Sequence, residues 1–216
     1  MKTYKLAAEP RTDLGKKAAK TLRSEGKIPV VLNGGEVFEM PFKGTLKPGE
    51  KIVEIENGRG MITTDLAVAN DDVRKLIFTP DIYAVELDFN GDKKMAVLRE
   101  VQYHPVTDEA LHVDFLAVCE TKPVAIDVPV IVTGHSEGVK LGGKLLVSSR
   151  KIRISALLDK LPDLVEVDTT SLQIGKQIVA GDLHFEGVNI VSPKATIICS
   201  VRPTRATAQA KAEASK

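Results

Sequence analysis

His104, His112, Asp114 and Cys119 fall close together in the chain, and imidazole, carboxylate and thiol are the groups that bind transition metals or move protons. In an extended segment His112 and Asp114, two residues apart, point the same way. No third ligand stands near them in sequence, and a His–Asp pair on a strand serves equally well as hydrogen-bonding equipment. A nucleophile elbow, a zinc-protease helix motif and a phosphate-binding lysine loop are all missing. The stretch GHSEGVKLGGK, residues 134–144, is glycine-rich without dinucleotide-loop spacing, and it is expected as a tight turn between strands. Neither catalysis, metal nor cofactor is expected; a metal-dependent hydrolase using His112 and Asp114 is the enzymatic rival.

The other chemistry is cationic. Residues 1–27 carry eight Lys or Arg against three acids, a net of +5, so with a whole-chain charge of +1 the remainder carries −4. A basic end on a mildly acidic body suits a localised polyanion contact. Within TDLGKKAAKTLRSEGKIP the apolar spacing predicts a helix, with Thr12 or Asp13 as cap, Gly26 as terminator and Pro29 forbidding continuation. Lys16, Lys20, Arg23 and Lys27 form one stripe on it, opposite Leu14, Ala18 and Leu22, which are expected to dock on the core. The turn Asn33, Gly34 and Gly35 offers backbone amides without bulk. Together with Gln102, His104, His112 and Asp114 these residues compose a mixed phosphate and groove surface, in which cations give affinity and uncharged donors and acceptors give fit. An aromatic share of 4% with no Trp argues against bases stacked on a platform of rings, whereas recognition of helical RNA by its shape needs none.

The elements that must position these groups are mostly strands. IPVVL, KIVEIEN, DIYAVELDF, KKMAVLREVQY and HVDFLAV alternate with a period of two, Asn57-Gly58 and Asn90-Gly91-Asp92 read as hairpin turns, and NDDVRKLIFTP reads as a helix capped by Asn70 or Asp71. On HVDFLAV, Val113, Phe115 and Ala117 should face the core. ETKP near residues 119–123 marks a boundary, followed by VAIDVPVIV, RKIRISALL, LVEVDTT and KATIICSVRP as further strands. Arg150, Lys151 and Arg153 form a small basic cluster, with Lys151 assigned to the face opposite the other two. The tail TRATAQAKAEASK has no apolar periodicity beyond Ala. The fold class is therefore mainly β with a few helices (α+β). At 216 residues, 43% hydrophobic and 27% charged, the chain can bury a sizeable core. Cys119 and Cys199 are too few for a disulfide framework, and no run suits a signal peptide or membrane span, so a cytoplasmic protein is expected.

RTDLGKKAAKTLRSEGKIPVVLNGG, VQYHPV, LHVDFLAV, VPVIVTGHSEGVKLGGK, LPDLVEVDTTSLQIGKQI and GDL occur in the order of a known family. From Arg11 to Pro203 the chain resembles the bacterial large-subunit ribosomal protein that binds 5S ribosomal RNA, in the long two-domain form also called CTC or general stress protein. The resemblance implies an N-terminal β-barrel with helices in residues 1–117, docked on loop E of 5S ribosomal RNA. It implies a mostly β domain in residues 118–203; contacts of that domain with other 50S components are expected, and the aperiodic residues 204–216 are expected as a flexible tail. Family RNA contacts map onto Arg11, Lys16, Lys20 and Arg23, and onto Gln102, His112 and Asp114. Two positions depart: Asn33 stands where the family carries Tyr before Gly34, removing a ring, and Arg99 stands where it often has Gln, adding charge. A third departure, GTLKPGEKIVEIENGRGMITTDL, reads as an added hairpin. The expected RNA-binding set is Arg11, Lys16, Lys20, Arg23, Asn33, Gly34, Arg99, Gln102, His112 and Asp114, in a ribosome-associated protein. The alternative is an RNA-binding stress or chaperone factor acting off the ribosome.

Overall fold

The computed structural model describes residues 2–34, 37–39, 46–55, 59–79, 81–89, 91–119 and 122–204. The chain divides into two units, residues 1–122 and 123–216, and among the described residues each sheet lies within one unit. In the first unit the strands are β1 (Lys2–Ala7), β2 (Glu9–Pro10), β3 (Lys27–Asn33), β4 (Val37–Glu39), β5 (Glu50–Ile55), β6 (Arg59–Ala69), β7 (Tyr83–Phe89), β8 (Asp92–Tyr103) and β9 (Ala110–Ala117). Helix α1 (Lys16–Ser24) precedes β3, and α2 (Asn70–Ile77) precedes β7. One sheet results, in the order β1-β7-β8-β9-β3-β6-β2, with β4 and β5 also paired to β6. Two of its contacts are parallel, β1 with β7 and β3 with β9. The two ends of this order, β1 and β2, are separated only by Ala8, so the single stretch Lys2–Pro10 pairs with β7 through its first half and with β6 through its second, and the sheet curls back on itself.

Alternation builds the core. Ile28, Val30 and Leu32 on β3, Leu66 and Val68 on β6, Val85 and Leu87 on β7, and Val113 and Phe115 on β9 are all buried in one cluster. Val73 and Leu76 of α2 belong to the same cluster. Strand β1 has no counterpart in the sequence reading, because KTYKLA buries only Leu6 fully. Its lysines suit an edge strand, where charge discourages pairing with another chain.

The added hairpin is real: β5 pairs with β6 from Glu50 opposite Thr64 to Ile55 opposite Arg59. Asn57 and Gly58 lie outside the described residues, as do Gly35, Pro80 and Asn90. Lys94 reaches Glu50 at 3.8 Å, Lys51 reaches Asp65 at 2.9 Å, and Lys47 pairs with Asp92, so the hairpin is tied to the main sheet. The Lys47 ammonium holds the Asp92 carboxyl below its ordinary range.

Several local expectations are corrected. Helix α1 starts at Lys16 with Gly15 at its cap position, and neither Thr12 nor Asp13 caps it. Likewise Ala69, not Asn70 or Asp71, precedes α2. Leu14 is exposed, whereas Ala18 and Leu22 are half-buried; with the helix beginning late, Leu14 falls outside the apolar face. Gly26 does end α1, at φ 77°.

The second unit holds β10 (Val124–Thr133), β11 (Lys144–Val147), β12 (Lys151–Ala156), β13 (Val165–Asp168), β14 (Gln177–Val179), β15 (Asn189–Ile190) and β16 (Ile197–Arg202). They form a four-stranded sheet, β13-β10-β12-β15, and a three-stranded one, β11-β16-β14. Val128, Ile152, Ile154, Val165, Ile198 and Val201 are buried. A one-turn helix, α3 (Glu137–Lys140), occupies the glycine-rich loop that was expected as a plain turn, because the buried Ser136 hydroxyl accepts the Val139 amide at 3.2 Å. Lys151 and Arg153 share one exposed face of β12, since residues two apart on a strand point together; the assignment of Lys151 to the opposite face is corrected. The tail beyond Thr204 lies outside the described residues.

Candidate nucleic-acid interface

On β9, burial of Val113 and Phe115 turns His112 and Asp114 to the other face, where both are half-buried. Cross-strand pairing sets Gln102 directly opposite His112 and Glu100 directly opposite Asp114. These four side chains therefore share one face. His112 Nδ1 stands 3.2 Å from Asp114 Oδ1. On the far side β3 runs parallel to β9, pairing Val31 with Asp114 and Asn33 with Leu116. The face is thus a short polar strip in which a carboxamide, an imidazole and two carboxylates are held by backbone register. Sequence reading missed Glu100, although its even spacing from Gln102 was visible.

The β8–β9 register shifts twice. Leu98 faces Phe115 while Glu100 faces Asp114, so Arg99 is an extra residue in β8; Gln102 faces His112 while Tyr103 faces Ala110, so Leu111 is an extra residue in β9. Arg99 is exposed. Leu111 has a specific partner: Arg23 of α1 donates to its carbonyl oxygen from Nε at 3.1 Å and from Nη2 at 3.0 Å. The helix is thereby fixed beside the strand that carries His112. Lys16 and Lys20 are exposed on the Arg23 side of α1 and have no carboxylate partner among the described residues.

The remaining expected residues are placed differently. Arg11 donates from Nη2 to the Asp13 carbonyl at 3.1 Å, and it lines a cleft of about 410 Å³ with Ala18, Leu22 and Glu25, on the side of α1 away from Lys16 and Lys20. Lys27 pairs with Glu9 in the same region. Gly34 takes φ 94°, and a Cβ there would come within 3.0 Å of Leu116 Cδ1, so its lack of a side chain serves close packing on β9. His104 accepts the amides of Val106 and Thr107 on Nδ1, at 3.3 and 3.2 Å, and so shapes the turn between β8 and β9. Among the described residues no group of three or more His, Cys, Asp or Glu is arranged to hold a metal. What the strip and helix offer chemically is ammonium groups for phosphates beside neutral and anionic hydrogen-bonding groups suited to hydroxyls and base edges.

Residues 6–115 match the model of the Ribosomal L25p family, a span that includes every residue from Arg11 to Asp114 discussed above. The chain belongs to the ribosomal L25p family. Residues 123–205 match a second model, Ribosomal protein TL5, C-terminal domain. Relatives named large ribosomal subunit protein bL25 include that of Porphyromonas gingivalis, 42% identical with 95% of each chain covered. Those of Parabacteroides distasonis and Phocaeicola vulgatus are 37% and 38% identical, with at least 99% of this chain and 100% of each relative covered. Similarity to these L25p proteins thus extends over both units and includes the added hairpin.

Proposed function

We propose that the first unit of this chain binds 5S ribosomal RNA, at the loop E region, through the outward face of β8 and β9 and the Lys16–Lys20 side of α1. As a member of the L25p family the chain is a structural protein of the large ribosomal subunit, not an enzyme. The observation that carries the interface is the pairing of Gln102 with His112 beside a helix that Arg23 ties to Leu111. Lys16 and Lys20 supply phosphate affinity, and Gln102, His112 and Asp114 supply discrimination by reaching 2′-hydroxyls and base edges. Arg99 adds a cation at the rim. Arg11, Asn33 and Gly34 act at the margin, by shaping loops more than by direct contact.

Residues 1–117 form the RNA-binding domain in this reading. Residues 118–203 form a mostly β domain that contacts other parts of the 50S particle, and residues 204–216 form a tail. The match of the second unit to a ribosomal C-terminal domain supports the long two-domain form, the one also called CTC or general stress protein. A cytoplasmic, ribosome-associated protein follows from this assignment, and no helix among the described residues is long and apolar enough to cross a membrane.

Co-sedimentation of the full chain with large ribosomal subunits at moderate salt tests the assignment. Retention at about one copy per particle is expected. Complete loss into the supernatant would instead favour the RNA-binding stress or chaperone factor acting off the ribosome.

A further inference from the structure

Register in the second unit sets Lys144 of β11 directly opposite Arg202 of β16. Like charges directly opposed across strands repel, and such pairs are normally relieved by a nearby acid. The strands β11, β14 and β16 contain no Asp or Glu, and neither residue has a carboxylate partner among the described residues. Two further lysines collect at this end of β16. The Val201 amide donates to the Lys176 carbonyl at 3.1 Å, which sets the Lys176 backbone opposite the residue before Arg202, and Lys140 closes α3 four residues before Lys144.

The glycine-rich loop holds this group together. A Cβ on Gly138 would lie 2.8 Å from the Ile174 amide nitrogen, and one on Gly143 would lie 2.7 Å from both the Gly138 carbonyl oxygen and Val201 Cγ1. Only glycine lets the loop press against β16 so closely. Thr204 donates to the Gly142 carbonyl at 2.8 Å, tying the strand's exit to the same loop. Four cations are thus mounted around a braced loop, and none of them has a carboxylate partner among the described residues, although Glu137 opens α3 nearby.

We propose that Lys140, Lys144, Lys176 and Arg202 form a second phosphate-binding surface, which engages the backbone of a structured RNA segment other than the one held by the first unit. The arrangement suits phosphates, because it offers point charges and a guanidinium with few uncharged groups to read bases. The inference rests on the ribosomal assignment for its choice of RNA over an acidic protein, and its test uses a different ligand. The full chain is titrated with a 24-base-pair RNA duplex unrelated to 5S ribosomal RNA, with poly-glutamate as the competing polyanion.

The double variant K144Q/R202Q should bind the duplex about tenfold more weakly at low salt, and its log-affinity slope against log salt should flatten by between one and two units. Its affinity for 5S ribosomal RNA should stay within about twofold of the parent, since the first unit is untouched. Lys144→Glu creates an opposite-charge pair with Arg202 and should raise the melting temperature slightly while weakening the duplex, which separates a binding loss from unfolding. Unchanged duplex affinity and slope in both variants would overturn the proposal. So would poly-glutamate displacing the duplex at equal charge concentration, an outcome that points to an acidic protein partner. Failure of 5S binding in the parent chain would count against the first-unit reading alone, leaving the duplex comparison intact.

Discussion

Arg23 and Leu111, separated by 88 residues in sequence, are joined by two hydrogen bonds from one guanidinium to one carbonyl oxygen. Leu111 is the residue that the β8–β9 register skips, and Arg23 ends the cationic stripe of α1. A defect in the sheet thus becomes the anchor of the helix, and the polar strip around His112 and the lysines of α1 are held in a fixed relation.

Arg23→Ala should therefore loosen the helix more than a lost surface charge would. Because the bonds are solvent-exposed, the stability cost is expected near 1 kcal/mol in urea unfolding, at the low end for hydrogen bonds to charged groups. Hydrogen exchange supplies the sharper check: amides of α1 should lose protection before those of β3. Arg23→Lys should not restore it, because an ammonium lacks the planar fork that serves Leu111.

Lys16→Gln and Lys20→Gln remove exposed cations that touch no acid, so unfolding should be unchanged within about 0.5 kcal/mol. RNA affinity should fall, and each change should flatten the log-affinity slope against log salt by roughly one unit. If about four cations contact phosphates in the parent, affinity should drop roughly a hundredfold between 50 and 200 mM salt. A variant slope equal to the parent's would remove that lysine from the set of phosphate contacts.

Gly138→Ala should destabilise the second unit by about 1–3 kcal/mol, the usual cost of forcing atoms into a packed site. The obstacle is backbone of Gln173 and Ile174, which cannot swing aside as a side chain would. Thermal unfolding followed on the full chain should show the loss, with 5S binding by the first unit retained below the new transition.

Acid should weaken the second unit through Asp168. Its carboxylate accepts the Thr170 hydroxyl at 2.5 Å and the Thr170 amide at 2.9 Å, which hold its pKa below the ordinary aspartate value. A depressed pKa stabilises the fold in full above the unfolded-state value, and that contribution is lost as pH falls through the folded value. Asp168→Ala should accordingly be less stable than the parent at neutral pH, with the difference narrowing in acid titration.

The sequence exposed the parts of this architecture that depend on local pattern. Alternation around Val113 and Phe115 was enough to turn His112 and Asp114 together to the outer face, and the alternating segments DIYAVELDF and KKMAVLREVQY do pair as β7 and β8. It did not expose the bulges at Arg99 and Leu111, because a register shift belongs to two strands at once and leaves no mark in either alone. The cap of α1 was missed for a related reason: Thr12 and Asp13 have the right chemistry, but Gly15, at φ 103°, sets the helix start beyond them. Arg11 entered the expected set through the family resemblance, and its hydrogen bond to the Asp13 carbonyl could not be read from that resemblance. Lys144 and Arg202 drew no notice because only pairing brings them face to face.

The central claim is that Gln102, His112 and Asp114 discriminate one RNA while α1 supplies general affinity. It is tested most directly by titrating the full chain, and its Gln102→Ala/His112→Ala variant, against 5S ribosomal RNA and against an unrelated RNA helix of equal length. The account predicts that the parent prefers 5S ribosomal RNA by at least tenfold, and that the variant loses most of this preference while its salt slope stays the same. Equal binding of both RNAs by the parent, or an undiminished preference in the variant, would contradict it.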